Sequence, residues 1–174
     1  MWSGGGAGIL LAAALALSVA QAKEPPPANR QIDFQGFAAL TADLGPYREA
    51  RRLTHAEFEA MAKAPGALTL DARSASAYAQ GHIAGAVNLP FTDFTDESLA
   101  RVIGPDRQRP ILIYCNNNFA NDAAPVPVKS VRLALNIPTF INLYGYGYPN
   151  IYELADIVDF NDPAVRWTTG GKGR

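Results

Sequence analysis

Pro110 is followed by four large apolar side chains, Ile111-Leu112-Ile113-Tyr114, and the run stops at once on Cys115 and three asparagines. A strand that is apolar at every position has no face to offer to water. It belongs in the interior of a parallel sheet covered on both sides. Parallel neighbours can be joined only through crossover connections, which are usually helices, so this one run dictates what must surround it.

The sequence supplies such units. ALTLDA (67–72) and AVNLP (86–90) read as two further short strands. Thr54 stands ahead of HAEFEAMAK with Glu57 three residues on, the pattern of a capping box, and Pro65-Gly66 stops that helix. Ser74 to Gln80 reads as a helix closed by Gly81. Thr95 is placed to cap DESLARVIG, whose acids occupy the first turn and suit the helix dipole. Beyond the asparagines, KSVRLALNI (129–137) reads as a helix and PTFINLY (138–144) as a strand. YGYGYPN (144–150) reads as a glycine turn and IYELADIV (151–158) as a final helix. Between Ile32 and Arg52 the pattern is mixed, with Phe34, Phe37, Leu40 and Leu44 loosely on one helical face. Alternating strands and helices predict an α/β fold with a parallel sheet.

The chain has 174 residues, of which 48% are hydrophobic and 18% charged, enough for one domain with flanking sequence. Its net charge of -1 calls for neither nucleic acid nor an anionic membrane as partner. The run GAGILLAAALALSVAQA (6–22) is short for a membrane span and ends on Ala20-Gln21-Ala22, the A-x-A form of a signal-peptidase site, although no Lys or Arg precedes it. The organisation expected is a signal peptide over 1–22, a linker and flank over 23–53, a domain over 54–160 and a tail over 161–174. The mature chain is expected to be exported, to the periplasm, with no stable membrane span left after cleavage.

Export sharpens the question of Cys115, the only cysteine. One thiol makes no internal bridge, so Cys115 is a buried apolar residue, an intermolecular partner or a reactive group. Its place between a central strand and the next helix favours reactivity, because loop N–H groups and a helix N-terminus both lower a thiol pKa. In open α/β sheets ligands sit beyond the carboxyl ends of the strands, where this reading places Asp71, Cys115 and Tyr144. Asn116, Asn117 and Asn118 either build a tight turn, since Asn tolerates left-handed backbone, or offer neutral donors to a polarised sulfur. Phe119 either covers the thiol or simply packs. YGYGY (144–148) either forms a binding edge or covers the core with its tyrosines.

The segment from about Thr54 to Val158 resembles the rhodanese-like (sulfurtransferase) family. The resemblance is carried by LTLDARSASAYAQGHIAGAVNLP, with its strand-D-x-R and G-H-I-x-G-A-x-N motifs, by PILIYC, and by FINLYGYG. It implies a single domain with a mostly parallel five-stranded sheet flanked by helices. It further implies a sulfur-accepting Cys115, a substrate loop of Asn116, Asn117, Asn118, Phe119, Ala120 and Asn121, and supporting roles for Asp71, Arg73 and His82. Tyr144, Gly145 and Tyr146 come near the loop by the same likeness. The implied partners are a small sulfur donor and a thiol or cyanide acceptor, with no cofactor. The alternative is a non-catalytic binding or redox-sensing module on the same scaffold.

The departures from the family matter. NNNFAN has neither the glycine nor the arginine usual in the active loop, and Lys129 and Arg132 are the nearest downstream cations. Asn121 stands where a phosphatase relative would need arginine. A donor less anionic than thiosulfate is therefore expected.

Overall fold

The computed structural model describes residues 29–170. The expected signal peptide (1–22) lies outside the described residues, and so does most of the spacer behind it. Among the described residues, 33–170 form a compact unit. Its centre is a five-stranded, all-parallel sheet in the order β1 (Arg52–Leu53), β6 (Ile151–Leu154), β5 (Ile111–Tyr114), β2 (Leu68–Asp71), β4 (Val87–Asn88).

β5 lies in the middle of that order and is buried at all four positions. Because successive side chains of a strand point to opposite faces, Ile111 and Ile113 enter one apolar cluster and Leu112 and Tyr114 the other. The first cluster is roofed by α4 (Asp96–Ile103) through Leu99 and Ile103, and by α5 (Asn136–Gly145) through Phe140 and Leu143. α1 (Phe34–Glu49) joins it through Tyr47. The second cluster is covered by α2 (His55–Ala62) through Phe58 and by α3 (Ala75–Gln80) through Tyr78. An antiparallel ribbon of β3 (His82–Ile83) and β7 (Trp167–Thr168) closes it. Burying each large apolar side chain contributes about 1.5–3 kcal/mol, so β5 is the best-anchored strand of the sheet.

The helix starts form as the sequence predicts. Thr54 and Glu57 make a reciprocal capping box, Thr95 and Ser98 make another, and the Ser74 hydroxyl accepts the Ala77 N–H. Gly81 is required for space, since a Cβ there would lie 2.4 Å from the Trp167 indole nitrogen. Gly85 is required for its φ of +87°.

The last third departs from expectation. Residues 129–135 hold only a single 3₁₀ turn, Val131–Leu133, and the helix begins at Asn136. PTFINLY, expected as a strand, lies inside α5, and IYELADIV, expected as a helix, supplies β6 instead. The β-branched and aromatic residues of PTFINLY favour a strand locally. However, Asn136, Thr139, Phe140 and Leu143 are buried at helical spacing, and tertiary packing follows that period. Pro138 is tolerated because it falls in the first turn, where N–H groups lack intrahelical acceptors.

Both flanks also extend the unit beyond the expected 54–160. β1 pairs with β6, and the Tyr47 hydroxyl donates to the Pro149 carbonyl at 2.8 Å. The tail contributes β7. The loose face predicted before Arg52 does fall in α1, yet Phe34 and Phe37 are exposed and Leu44 is its one buried residue.

At the carboxyl ends of the strands a buried knot joins the layers. Arg73 grips Asp71 through Nη2 at 2.5 Å and Nε at 2.9 Å, and gives its other Nη2 bond to the Gly81 carbonyl at 2.7 Å. The Tyr114 hydroxyl donates to Asp71 Oδ2 at 2.7 Å and accepts the Ile83 N–H at 3.1 Å. Asn88 Nδ2 bonds the carbonyls of Asp71 and Arg73, both at 2.9 Å. Breaking one partner of a buried ion pair strands the other charge. Asp71→Asn is therefore expected to cost about 3–5 kcal/mol in urea unfolding. Tyr114→Phe, which leaves the Ile83 N–H unpaired, is expected to cost about 1–3 kcal/mol.

Candidate functional site

Cys115 follows β5 directly and is 1% exposed. Four main-chain N–H groups converge on its sulfur from two separate segments. Asn117 and Asn118 come from the 3₁₀ turn Asn116–Asn118, the Asn118 N–H being shared with the Cys115 carbonyl at 3.1 Å, and Leu135 and Asn136 come from the start of α5. The expected helix N-terminus does meet the thiol, but it belongs to α5 and begins seven residues later than the helix read from the sequence. The loop contribution is narrower than expected, since the Phe119 N–H is spent on the Asn116 carbonyl and the Ala120 N–H on Val158.

These donors do not win. Burial pushes the Cys115 thiol above its ordinary value, and the N–H groups of Asn136, Asn117 and Leu135 only partly offset it. The charge of Glu153 acts in the same direction as burial. The sequence predicted a lowered thiol pKa. The correction has a simple cause: desolvation destabilises a thiolate sealed from water more than main-chain dipoles stabilise it.

The asparagines serve the protein itself. Asn116 Nδ2 donates to the Pro127 carbonyl at 2.9 Å. Asn117 makes a two-way clamp on Lys129, giving Nδ2 to its carbonyl at 2.8 Å and accepting its N–H at 3.0 Å. Together they hold the irregular stretch 122–135 as a strap across the loop. Asn118 Oδ1 accepts the Cys115 N–H at 2.9 Å and Asn136 Nδ2 at 3.0 Å, and its own Nδ2 donates to the Leu154 carbonyl at 2.8 Å. Asn121 bonds Asp159 at 2.7 Å and the Phe160 N–H at 3.1 Å. Of the two readings of these amides, the local structural one describes their contacts. Phe119 packs edge-on against Tyr114 and Trp167 in the second core cluster.

The supporting residues divide by place. Asp71 and Arg73 lie at the knot beneath the loop, and Arg73 Nη1 reaches the Pro125 carbonyl of the strap at 3.4 Å. His82 stacks on Tyr78, with Nδ1 2.8 Å from its carbonyl, and is spent on holding the ribbon. Tyr144, Gly145 and Tyr146 are not beside Cys115. They end α5, and the turn behind them meets the start of β5, where the Ile111 N–H donates to Asn150. That places them at the amino ends of the strands, a sheet's length from the thiol. The expectation came from reading PTFINLY as a strand. Tyr144 instead packs on Tyr47, and the Tyr146 hydroxyl bonds the Phe94 carbonyl at 3.2 Å.

The sequence reading missed Leu135, Asn136, Arg48 and Glu153. Glu153 is buried on β6, pairs with Arg48 at 2.6 Å, and accepts Asn136 Nδ2 at 3.3 Å, while its Oε2 has no partner among the described residues. The signal for it is an acid within an otherwise apolar four-residue strand, visible only once IYEL is recognised as one. Beside the loop opens a cavity of about 460 Å³, lined by Arg73, Ser74, Gln80, Pro127, Lys129 and Leu135 among others. Among the described residues no cluster of side chains suits a metal ion, and no helix is long and apolar enough to cross a membrane.

The model of the rhodanese-like domain matches residues 54–156. The chain belongs to the rhodanese-like domain family. The chain is similar to several solved structures. A thiosulfate sulfurtransferase from Pseudomonas aeruginosa aligns at 18% identity and a TM-score of 0.50 over 79% of this chain, which spans only 24% of that enzyme. The Alr3790 protein from Anabaena aligns at 18% identity and a TM-score of 0.48, over 67% of this chain and 80% of that one. BH2092 from Bacillus halodurans aligns at 18% identity and 0.46, over 65% and 72%. No curated protein sequence matches the chain. The rhodanese-like assignment covers the fold, and residues 54–156 contain Cys115 and the loop NNNFAN.

Three outcomes are expected from alkylation of the single thiol. Its rate keeps rising with pH beyond the ordinary thiol range, and Glu153→Gln, which removes a negative charge behind the sulfur, moves the midpoint to lower pH. Asn117→Ala loosens the strap, raises the rate about tenfold or more, and moves the midpoint to lower pH as well, because water then reaches the sulfur. It removes two hydrogen bonds of about 1 kcal/mol each, and about 1.4 kcal/mol is tenfold in an opening equilibrium.

Proposed function

We propose that this rhodanese-like chain moves sulfane sulfur through Cys115. The observation that carries the reading is the convergence of four N–H groups on Sγ at the carboxyl end of the central strand. Donors so placed hold an anionic sulfur and would hold the terminal sulfur of a persulfide equally well. The Cys115 thiolate attacks the outer sulfur of the donor, the donor's S–S bond breaks, and its remainder leaves with the electron pair. An acceptor thiolate or cyanide then attacks the terminal sulfur, and Cys115 leaves as thiolate.

The charge around the site supports a donor other than thiosulfate. Arg73 is committed to Asp71, which among the described residues leaves Lys129 as the one uncommitted cation lining the cavity. A dianion would gain little there. A persulfide or polysulfide needs less positive charge.

A second reading has its own observation. A thiol that is sealed and held protonated suits a non-catalytic binding or redox-sensing module. One experiment separates them: incubation with glutathione persulfide and with thiosulfate, followed by intact mass. The persulfide is expected to add one sulfur to the wild type and none to Cys115→Ser, with thiosulfate loading far less. No added sulfur from either donor removes the transfer reading and leaves the module.

The same proposal places the protein outside the cytoplasm, on the strength of the apolar run ending at Ala20-Gln21-Ala22. Sequencing of exported material is expected to begin at Lys23. A cytosolic form that keeps Met1 would overturn this placement.

A further inference from the structure

The loop around Cys115 lies between two segments of opposite charge. On one flank, Asn116 and Asn117 hold the strap, whose residues 127–133 are all exposed. The strap, 122–135, contains Lys129 and Arg132 and one acid, Asp122, whose Oδ1 is spent on the Val128 N–H at 2.8 Å. Neither cation belongs to an ion pair among the described residues. On the other flank, Asn118, Ala120 and Asn121 hold 156–160 through Asp156, Val158 and Asp159. The sequence there is DIVDFND (156–162), with three acids and no cation. Both flanks are apolar as well as charged: Val131, Leu133 and Ile157 are 81%, 75% and 71% exposed.

We propose that this rim is a self-docking face. A second copy, related by a twofold axis, lays its segment 156–162 on the strap of the first and receives the reverse contact. A twofold interface uses the same surface on both copies, so that surface must carry its own complement. Here the basic apolar strap and the acidic apolar segment stand on either side of one loop, which is that requirement met. An anionic lipid surface fits less well, because half of the rim would be repelled. An acidic partner of another kind would leave DIVDFND facing water with Ile157 uncovered. The cavity under the strap, walled by Pro125, Pro127, Leu133 and Leu135, offers the partner's Ile157 an apolar recess. Pairing in this way brings the two Cys115 loops face to face and closes the approach to both thiols.

The inference does not depend on sulfur transfer, and its test does not measure it. Sedimentation of the wild type across about 1–100 µM is expected to show a monomer–dimer equilibrium that weakens with added salt, as screening of exposed charges requires. Alkylation of Cys115 should slow as protein concentration rises. The variant K129E/R132E and the variant D159K/D162K are each expected to associate at least tenfold more weakly alone, since like charges then meet twice. Mixed one to one they should pair again, each reversed patch finding its opposite, and that recovery also shows that both variants are folded. A wild type that stays monomeric at about 100 µM overturns the proposal. So does self-association that survives either charge reversal, or a mixture that fails to pair. Binding of a monomeric wild type to phosphatidylserine vesicles would assign the rim to lipid and overturn it as well.

Discussion

The buried Asp71 carboxylate is the interaction on which the rest of the site depends. It ends β2, receives Arg73 from the following turn, and receives the Tyr114 hydroxyl from the end of β5. Through Arg73 it reaches Gly81 before the β3–β7 ribbon, and through Tyr114 it reaches Ile83 within it. Desolvating so many polar groups is tolerated only because each finds a partner. The knot fixes the height of Tyr114, and Cys115 is the next residue. Any shift in Asp71 would therefore be passed directly to the position of the thiol.

Around that fixed point the loop is tied in two directions. Asn118 joins Cys115 to β6 and α5, whereas Asn116 and Asn117 fasten the strap over it. This division explains how an uncharged loop can present N–H groups to a sulfur. It also explains why the thiol is sealed. The same amides that arrange the donors hold down the segment that excludes water, and exclusion of water is what keeps the proton on Cys115. Ordering the site and making it accessible are opposed here, and the strap is where the two are balanced.

Much of this was legible in the sequence. ILIY had to be central because no polar position interrupts it, and Thr54, Ser74 and Thr95 mark helix starts through their own side chains. The G-H-I-A-G-A-V-N-L-P run carries the family. What could not be read was the phase of the last third. PTFINLY has the composition of a strand and the burial of a helix, and only the packing of Phe140 and Leu143 against the sheet decides between them. The misplacement of Tyr144 to Tyr146 follows from that one error, as does the failure to see Glu153 on a strand behind the thiol.

The chain's order of apolar runs and caps determined by itself that a parallel sheet would form and that Cys115 would stand at its carboxyl edge, because those features act between near neighbours. Tertiary structure alone decided the state of that thiol. Its environment is set by residues such as Leu135, Asn136 and Glu153, brought beside it from 20 or more residues away, and the balance between their dipoles, one buried charge and the loss of water exists only once they are assembled.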